Sequence, residues 1–396
     1  MKDYSYLQQK YLVNTYQNRS LTLKKGKGIY LYDSFGEKFL DMMTNYGVNI
    51  FGHNHPLILK ELTNNLKKLP ILHCSFANKI RAMAAEQLIL RSGGGLAQIY
   101  FANSGTEAVE AALKFAVLAK RKKEFIACEN GYHGKTLGSL SATFGEKYKK
   151  QFQPLLWKFK HIPFNNIQAL KKAISEKTAA FIVEPIQGEA GIIIPSKGYL
   201  QKVREVCDKN KILLILDEIQ TGGGRTGYFL ASNEEKINYD IVCLGKGLGG
   251  GIPFGATLVN KEISQSIPKA IHSSTFGGNP LACSGVLAVL KLLDKKRLIY
   301  IRKTGEYFIT KLKTIKSKLI KEVRGKGLII GIETNNKDRD NILRLLQLKK
   351  ILAAPAGENV IRFLPPYIIT KKEIDFVVET LRTILNSNVS LFISKI

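Results

Sequence analysis

Lys246 is the residue whose setting most invites chemistry. It stands in Gly245-Lys246-Gly247-Leu248-Gly249-Gly250-Gly251, directly after the apolar run Asp240 to Leu244. Burial disfavours an ammonium, lowers its pKa and gives access to the neutral, nucleophilic amine that Schiff-base chemistry needs. A lysine salt-bridged beside a flexible loop is the plainer alternative. Asp217 closes a second apolar run, Ile212 to Leu216, and is followed by Glu218, Ile219 and Gln220. A carboxylate in that position is costly unless paired. Its partner could be a protonated pyridine nitrogen, an arginine or a magnesium ion.

Three more segments have the same placement. Asn103-Ser104-Gly105-Thr106-Glu107 follows Gln98 to Phe101 and opens a helical pattern. Ser104 and Thr106 are good N-cap residues, and a helix N-terminus can receive a phosphate. Simple helix capping would explain the same residues. Gly131-Tyr132-His133-Gly134-Lys135-Thr136 follows Glu124 to Cys128. Its tyrosine, flanked by glycines, could lie flat on a planar ring or merely pack. Glu184-Pro185 and Gln187-Gly188-Glu189 follow Ala179 to Val183, and their charges are expected to lie outside the core.

Other chemistries fit less well. Gly245, Gly247 and Gly250 have the spacing of a dinucleotide fingerprint, but that motif opens a helix. Here Gly251-Ile252-Pro253-Phe254-Gly255 follows and would break one. There is no complete Walker loop and no serine-hydrolase elbow. His53-Asn54-His55-Pro56 reads as a turn and not a metal site, since no third ligand stands nearby. No metal is expected.

The elements that must position these residues are short apolar runs alternating with helical patterns. Candidate strands are Gln98 to Phe101, Glu124 to Cys128, Ala179 to Val183, Ile212 to Leu216 and Asp240 to Leu244. Near-continuous apolar character predicts strands buried on both faces of a parallel sheet. Glu107 to Lys122 and Tyr199 to Asn210 read as helices between strands, an α/β signature. In such sheets ligands bind at the carboxyl ends of the strands, where the segments above lie. Gly28 to Tyr32 and Lys38 to Asp41 read as short strands near the N-terminus. After Lys295 the pattern is helix, strand, helix, with Val323 to Glu333 and Val360 to Phe363 as strands. The expected organisation is residues 1–60 and 295–396 as two parts of a small lobe, and 61–294 as a large domain.

Composition bounds the rest. The 396 residues are 45% hydrophobic and 23% charged, as in soluble globular chains. No apolar run approaches the roughly 20 residues of a membrane helix. The opening Met1-Lys2-Asp3-Tyr4-Ser5-Tyr6 lacks the apolar core of a signal peptide. Cys74, Cys128, Cys207, Cys243 and Cys283 are isolated and mostly in apolar stretches, which fits buried thiols in a reducing cytoplasm. The net charge of +28 comes from 47 lysines and 13 arginines spread along the chain. A groove reader would concentrate arginine and aromatics, so the excess reads as a solvated surface and no nucleic-acid partner is expected.

A phosphate cradle, a stacking aromatic, an acidic partner for a ring nitrogen and a desolvated lysine together describe one cofactor, pyridoxal 5'-phosphate. The sequence also resembles the class III, fold type I aminotransferases, and within them the acetylornithine aminotransferases. The resemblance runs from Gly28-Ile29-Tyr30-Leu31-Tyr32-Asp33 to Ile361-Arg362-Phe363-Leu364-Pro365-Pro366. Its markers are Ser104-Gly105-Thr106-Glu107, Glu184-Pro185-Ile186-Gln187-Gly188-Glu189, Gly224-Arg225-Thr226-Gly227, the Lys246 loop, Ser274-Thr275-Phe276-Gly277-Gly278-Asn279-Pro280 and Pro355-Ala356-Gly357.

The resemblance implies an α/β fold: a large domain with a mostly parallel central sheet, and a smaller α+β domain built from both chain ends. It implies that Lys246 carries the cofactor and shuttles a proton, and that Asp217 keeps the ring nitrogen protonated. Gly105 and Thr106 would bind the phosphate, Tyr132 and Ile219 would cover the two ring faces, Gln220 would reach the ring's hydroxyl, and Glu218 would be among the cofactor-binding residues. Thr275 would reach the phosphate across a subunit boundary with Ser274 near the substrate, which implies a homodimer. Arg362 would clamp the α-carboxylate of 2-oxoglutarate, and Glu189 would pair with Arg362 when the terminal-amine donor is bound. Lys135 stands where these enzymes usually carry an arginine for the donor's carboxylate, and a lysine loses the planar fork. Ile219 and Ala190 replace the usual valine and glycine. The implied reaction passes the amine of N2-acetyl-L-ornithine to 2-oxoglutarate in arginine biosynthesis, giving N-acetylglutamate 5-semialdehyde and glutamate. Ornithine, succinylornithine, 4-aminobutyrate or an acylated lysine precursor are alternative donors. A basic nucleic-acid-binding protein on this fold is the non-enzyme alternative.

Overall fold

The computed structural model describes residues 4–16, 19–335 and 338–386. Met1, Lys2 and Asp3, read above for a leader, lie outside the described residues. Near the N-terminus come β1 (Leu23–Lys27), β2 (Tyr30–Asp33) and β3 (Lys38–Asp41). The middle of the chain gives β4 (Leu96–Ala102), β5 (Glu124–Cys128), β6 (Lys158–Ile162), β7 (Thr178–Val183), β8 (Leu213–Asp217), β9 (Ile241–Gly245) and β10 (Gly255–Asn260). Toward the C-terminus follow β11 (Ile320–Lys326), β12 (Ile329–Thr334), β13 (Ile351–Leu352), β14 (Ala354–Ala356) and β15 (Val360–Phe363).

The seven middle strands form one sheet in the order β4-β10-β9-β8-β7-β5-β6. The pairs from β9 through β6 are parallel, whereas β10 runs antiparallel to both β4 and β9. The apolar runs are explained by burial on both faces. Ile126, Phe181, Leu214, Leu216, Val242 and Leu244 enter one core cluster, and the alternate residues Phe125, Ile182, Leu213, Ile215 and Ile241 enter another. Period-two alternation across a doubly covered sheet produces this division. The five strands expected in the middle of the chain are present; β6 and β10 were not anticipated. In β6, Lys158, Lys160 and His161 mask the pattern, as suits a strand at the sheet's edge. In β10, Gly255-Ala256-Thr257 lacks the bulky residues that mark a buried strand.

Val323 to Glu333 is not one strand. It folds into a hairpin, β11 against β12, turning at Gly327 with φ +55°. The two chain ends meet through backbone bonds. β13 pairs in parallel with β3, joining Ile351 to Leu40 and Leu352 to Asp41. The Leu364 amide also donates to the Met42 carbonyl at 2.7 Å. Cys128, Cys207, Cys243 and Cys283 are buried thiols, and Cys74 is exposed. No described helix is long and apolar enough to cross a membrane.

Candidate active site

The expected phosphate cradle lies at the N-terminus of the helix Gly105–Lys120. Ser104 caps it in extended conformation, accepting from the Glu107 amide, while the Glu107 carboxylate accepts from the Asn103 and Ser104 amides at 2.5 and 3.1 Å. This reciprocal box leaves the Gly105 and Thr106 amides with no acceptor among the described residues. Both point off the positive end of a 16-residue helix. The Thr106 hydroxyl meets those of Thr136 and Ser139 at 2.8 and 2.6 Å. Gly255 is required at the start of β10, because a Cβ there would lie 2.1 Å from the Ser104 carbonyl oxygen.

Lys246 follows β9 directly and begins a short 3-10 turn in left-handed conformation, φ +46°. Such a backbone is uncommon for a residue other than glycine and clusters at functional sites. Desolvation lowers the Lys246 pKa, opposed by the nearby carboxylates of Glu189 and Asp217. Ile219 packs where side chains on Gly105 or Gly245 would clash or crowd, so these three residues close together beside Lys246.

Asp217 is buried at the end of β8 and does have a partner, one absent from the alternatives above. Its Oδ2 lies 2.8 Å from Nδ1 of His133, a fully buried ring, and its Oδ1 accepts from the Ile219 amide at 3.1 Å. The His133 amide in turn donates to Thr143 Oγ1 at 2.9 Å. His133 could have been found from the sequence, since it lies beside Tyr132 after β5, two strands from β8 in the same sheet.

The charge after β7 also departs from expectation. Glu184 is buried in the core, not outside it. Its two oxygens accept from the Tyr132 amide at 2.9 Å and the Gly188 amide at 3.2 Å, so one carboxylate ties two site loops together. Burial raises its pKa to about 7, with His133 lowering and Asp217 raising it. Tyr132 is half-buried, and burial first, then Glu189, pushes its hydroxyl up to about 12. Its ring meets Tyr148 edge-on at 6.1 Å. Lys135 is exposed at the rim, its ammonium 5.8 Å from the Tyr148 ring centroid.

Arg362 projects from β15 and is fully buried. Its guanidinium bonds Glu189 Oε1 at 2.6 Å, Gln220 Oε1 at 3.2 Å, and the Gly188 and Pro355 carbonyls at 3.3 and 3.2 Å. Burial works against the Glu189 carboxylate, but Arg362 outweighs it and holds the pKa low. Tyr46 faces the same group, its ring centroid 5.5 Å from the guanidinium carbon. It lies in Thr44-Asn45-Tyr46-Gly47, four consecutive residues with positive φ, which no periodicity in the sequence announces.

Glu218 and Gln220 both have partners within the protein. The Glu218 side chain is buried. It accepts four hydrogen bonds, from Thr221 Oγ1, the Ala231 and Ser232 amides and Ser232 Oγ, and so anchors the 231–232 turn. The Gln220 amide, expected at the ring's hydroxyl, is turned to Glu189 and Arg362. Ser274 Oγ accepts from Asn103 and from the Gly277 amide, beside the cradle. Thr275 and Phe276 are exposed and face outward.

The family description Aminotransferase class-III matches residues 11–385. The chain belongs to the class III aminotransferases. An Aquifex aeolicus protein named acetylornithine aminotransferase is 42% identical over 383 residues, covering 95% of this chain and 100% of its own. A Pyrococcus horikoshii protein named putative [LysW]-aminoadipate semialdehyde/glutamate semialdehyde transaminase is 44% identical, covering 94% and 98%. The crystal structure of ornithine aminotransferase from Toxoplasma gondii superposes with a TM-score of 0.92 at 30% identity, covering 99% of this chain and 95% of that one. The chain is therefore an aminotransferase of fold type I that uses pyridoxal phosphate. The donor set fits that cofactor: two free helix-terminal amides for a phosphate, the buried Asp217 for a ring nitrogen and Lys246 for an aldehyde carbon.

Proposed function

We propose that the enzyme moves the terminal amine of N2-acetyl-L-ornithine to 2-oxoglutarate, giving N-acetylglutamate 5-semialdehyde and glutamate. The observation that carries this reading is the pairing of half-buried Glu189 with the buried Arg362 at 2.6 Å. 2-Oxoglutarate presents a carboxylate beside its reacting carbon, and a guanidinium can clamp it through two parallel bonds. A terminal-amine donor has no carboxylate there, and a buried cation left alone would be costly. Glu189 answers that need by neutralising Arg362 while the donor is bound.

Pyridoxal phosphate supplies the electrophilic carbonyl and the electron-accepting ring. The remaining work belongs to side chains. Lys246 binds the cofactor and moves the proton at the amine-bearing carbon of the substrate. Asp217, oriented by His133, holds a proton on the ring nitrogen. Gly105 and Thr106 bind the phosphate, and Tyr132 and Ile219 cover the ring. Gln220 steadies the Glu189–Arg362 pair. Lys135 takes the donor's α-carboxylate at the rim. Thr275 completes the phosphate site of a second copy, with Ser274 at its substrate, in a cytoplasmic homodimer serving arginine biosynthesis.

Turnover across N2-acetylornithine, ornithine, succinylornithine, 4-aminobutyrate and an acylated lysine precursor tests the donor. N2-acetylornithine is expected to give the highest kcat/KM, while negligible turnover of it beside strong 4-aminobutyrate activity would refute the assignment. Lys246→Ala is expected to abolish turnover. A second reading, the acylated lysine precursor, is favoured by the relatives named for [LysW]-aminoadipate semialdehyde, which reach 44% identity.

A further inference from the structure

The loop that carries Glu189 is held in a conformation its residues do not prefer. Gln187 and Ile193 bridge across it, and between them Gly191 and Ile192 have φ of +115° and +58°. For a β-branched residue the left-handed region is a true outlier, costing on the order of 1–3 kcal/mol, and it persists only where the surroundings over-determine it. One side of that constraint is apolar. Ile192 is fully buried in a small cluster with Ile186, Ile329 and Leu364.

The other side is Arg324, on the β11 edge of the hairpin. Its Nε donates to the carbonyls of Gly191 and Ile192 at 2.9 and 3.1 Å, and a terminal nitrogen donates to Gly191 again at 2.8 Å. The second terminal nitrogen is fixed by Glu333 and Glu322, both at 2.5 Å. Arg324 thus spans from a rigid β-hairpin to the two carbonyls of the strained turn. Glu189 itself is free to change partners, because its backbone carbonyl is tied to the Gly357 amide at 2.7 Å while its side chain is one-third exposed.

We propose that Arg324 is a positioning residue for the Glu189–Arg362 pair: by clamping the Gly191–Ile192 turn it sets how readily Glu189 leaves Arg362. It thereby sets the balance between the two half-reactions. This inference rests on the reading of that pair given above. The terminal-amine donor reacts while the pair is closed, and an α-amino acid reacts once it opens. A loosened turn should favour opening, so it should slow the first reaction relative to the second.

The test uses the holoenzyme in single-turnover half-reactions, followed by the cofactor's visible absorbance. The amines are L-glutamate and N2-acetylornithine, or the donor that outranks it in the screen above. Wild type, Arg324→Ala, Arg324→Lys and Glu189→Ala are compared by the ratio of the glutamate to the donor rate constant. Arg324→Ala is expected to raise that ratio about 10-fold, Arg324→Lys to fall between it and wild type, and Glu189→Ala to raise it at least as far. A residue that only held the fold together would lower both half-reactions by one factor. That outcome in a folded Arg324→Ala, beside a shifted ratio in Glu189→Ala, overturns the role of Arg324 and leaves the pair's role standing. An unchanged ratio in Glu189→Ala overturns both. Where Arg324→Ala does not fold, the Arg324→Lys ratio decides, and a wild-type value there overturns the inference.

Discussion

At the scale of single residues, the site is a set of buried charges that answer one another. Asp217 without His133 would be a buried carboxylate held by one amide, and the 2.8 Å contact spreads its charge over a ring that is itself excluded from water. Glu184 lies in the same buried region with no cation bonded to it, only the amides of Tyr132 and Gly188. Burial raises its pKa from 4.5 to about 7. In that window the folded chain holds a proton that the unfolded chain has released, so stability falls as pH rises. The contribution is full below about 4.5 and is lost as pH passes about 7. Glu184→Gln is therefore expected to remove part of the decline in urea midpoint between pH 5 and pH 8. An identical decline in wild type and variant would show that Glu184 does not titrate in this range.

At the scale of elements, helix termini and strand ends place the chemistry. The capping box around Ser104 and Glu107 is a local pattern, legible from four residues, and it both starts the helix and frees two amides for an anion. Ser104→Ala is expected to cost about 1 kcal/mol of stability and to weaken retention of pyridoxal phosphate. Ser104→Asp should keep the cap but place a negative charge beside the phosphate, so thermal stability returns while cofactor affinity stays low. Equilibrium dialysis and melting curves on the two variants separate these effects. The β11–β12 hairpin was less legible, because Gly327 interrupts an otherwise continuous strand-like pattern that the sequence presents as one run. β10 was hidden for a different reason: it opens on the small residues Gly255-Ala256-Thr257, set between β9 and the edge strand β4.

At the scale of the whole molecule, apolar surface is left on one side. The helices Pro56–Leu66 and Lys79–Ser92 both pack on Pro280–Leu292, and they expose Leu59, Leu66, Met83 and Leu90, with Phe76 and Phe276 nearby. These exposed side chains would serve the homodimer proposed above. Exposed Thr275 lies next to Phe276, so a second copy seated here would receive it. Leu90→Asp combined with Met83→Asp is expected to shift the sedimentation coefficient from dimer to monomer and to reduce activity at least 10-fold, since a charge buried at an interface is strongly unfavourable. A monomeric wild type with full activity would contradict the shared site.

The residues expected to carry the chemistry are legible in local sequence patterns. Lys246, Asp217, Tyr132 and the Ser104-Gly105-Thr106-Glu107 cradle each follow a run of apolar residues, and such runs are local patterns set by burial on both sides of a sheet. How the charges pair is settled by the three-dimensional packing. His133 meets Asp217 across 84 positions of chain, and Arg362 meets Glu189 across 173. The burial of Glu184, the bonds of buried Glu218 to the 231–232 turn and the grip of Arg324 on the Gly191–Ile192 turn belong to the same class. Periodicity reports which face of an element is covered, but not which distant group covers it. The partner of a buried charge is fixed only when the strands are ordered and the two chain ends close on the sheet.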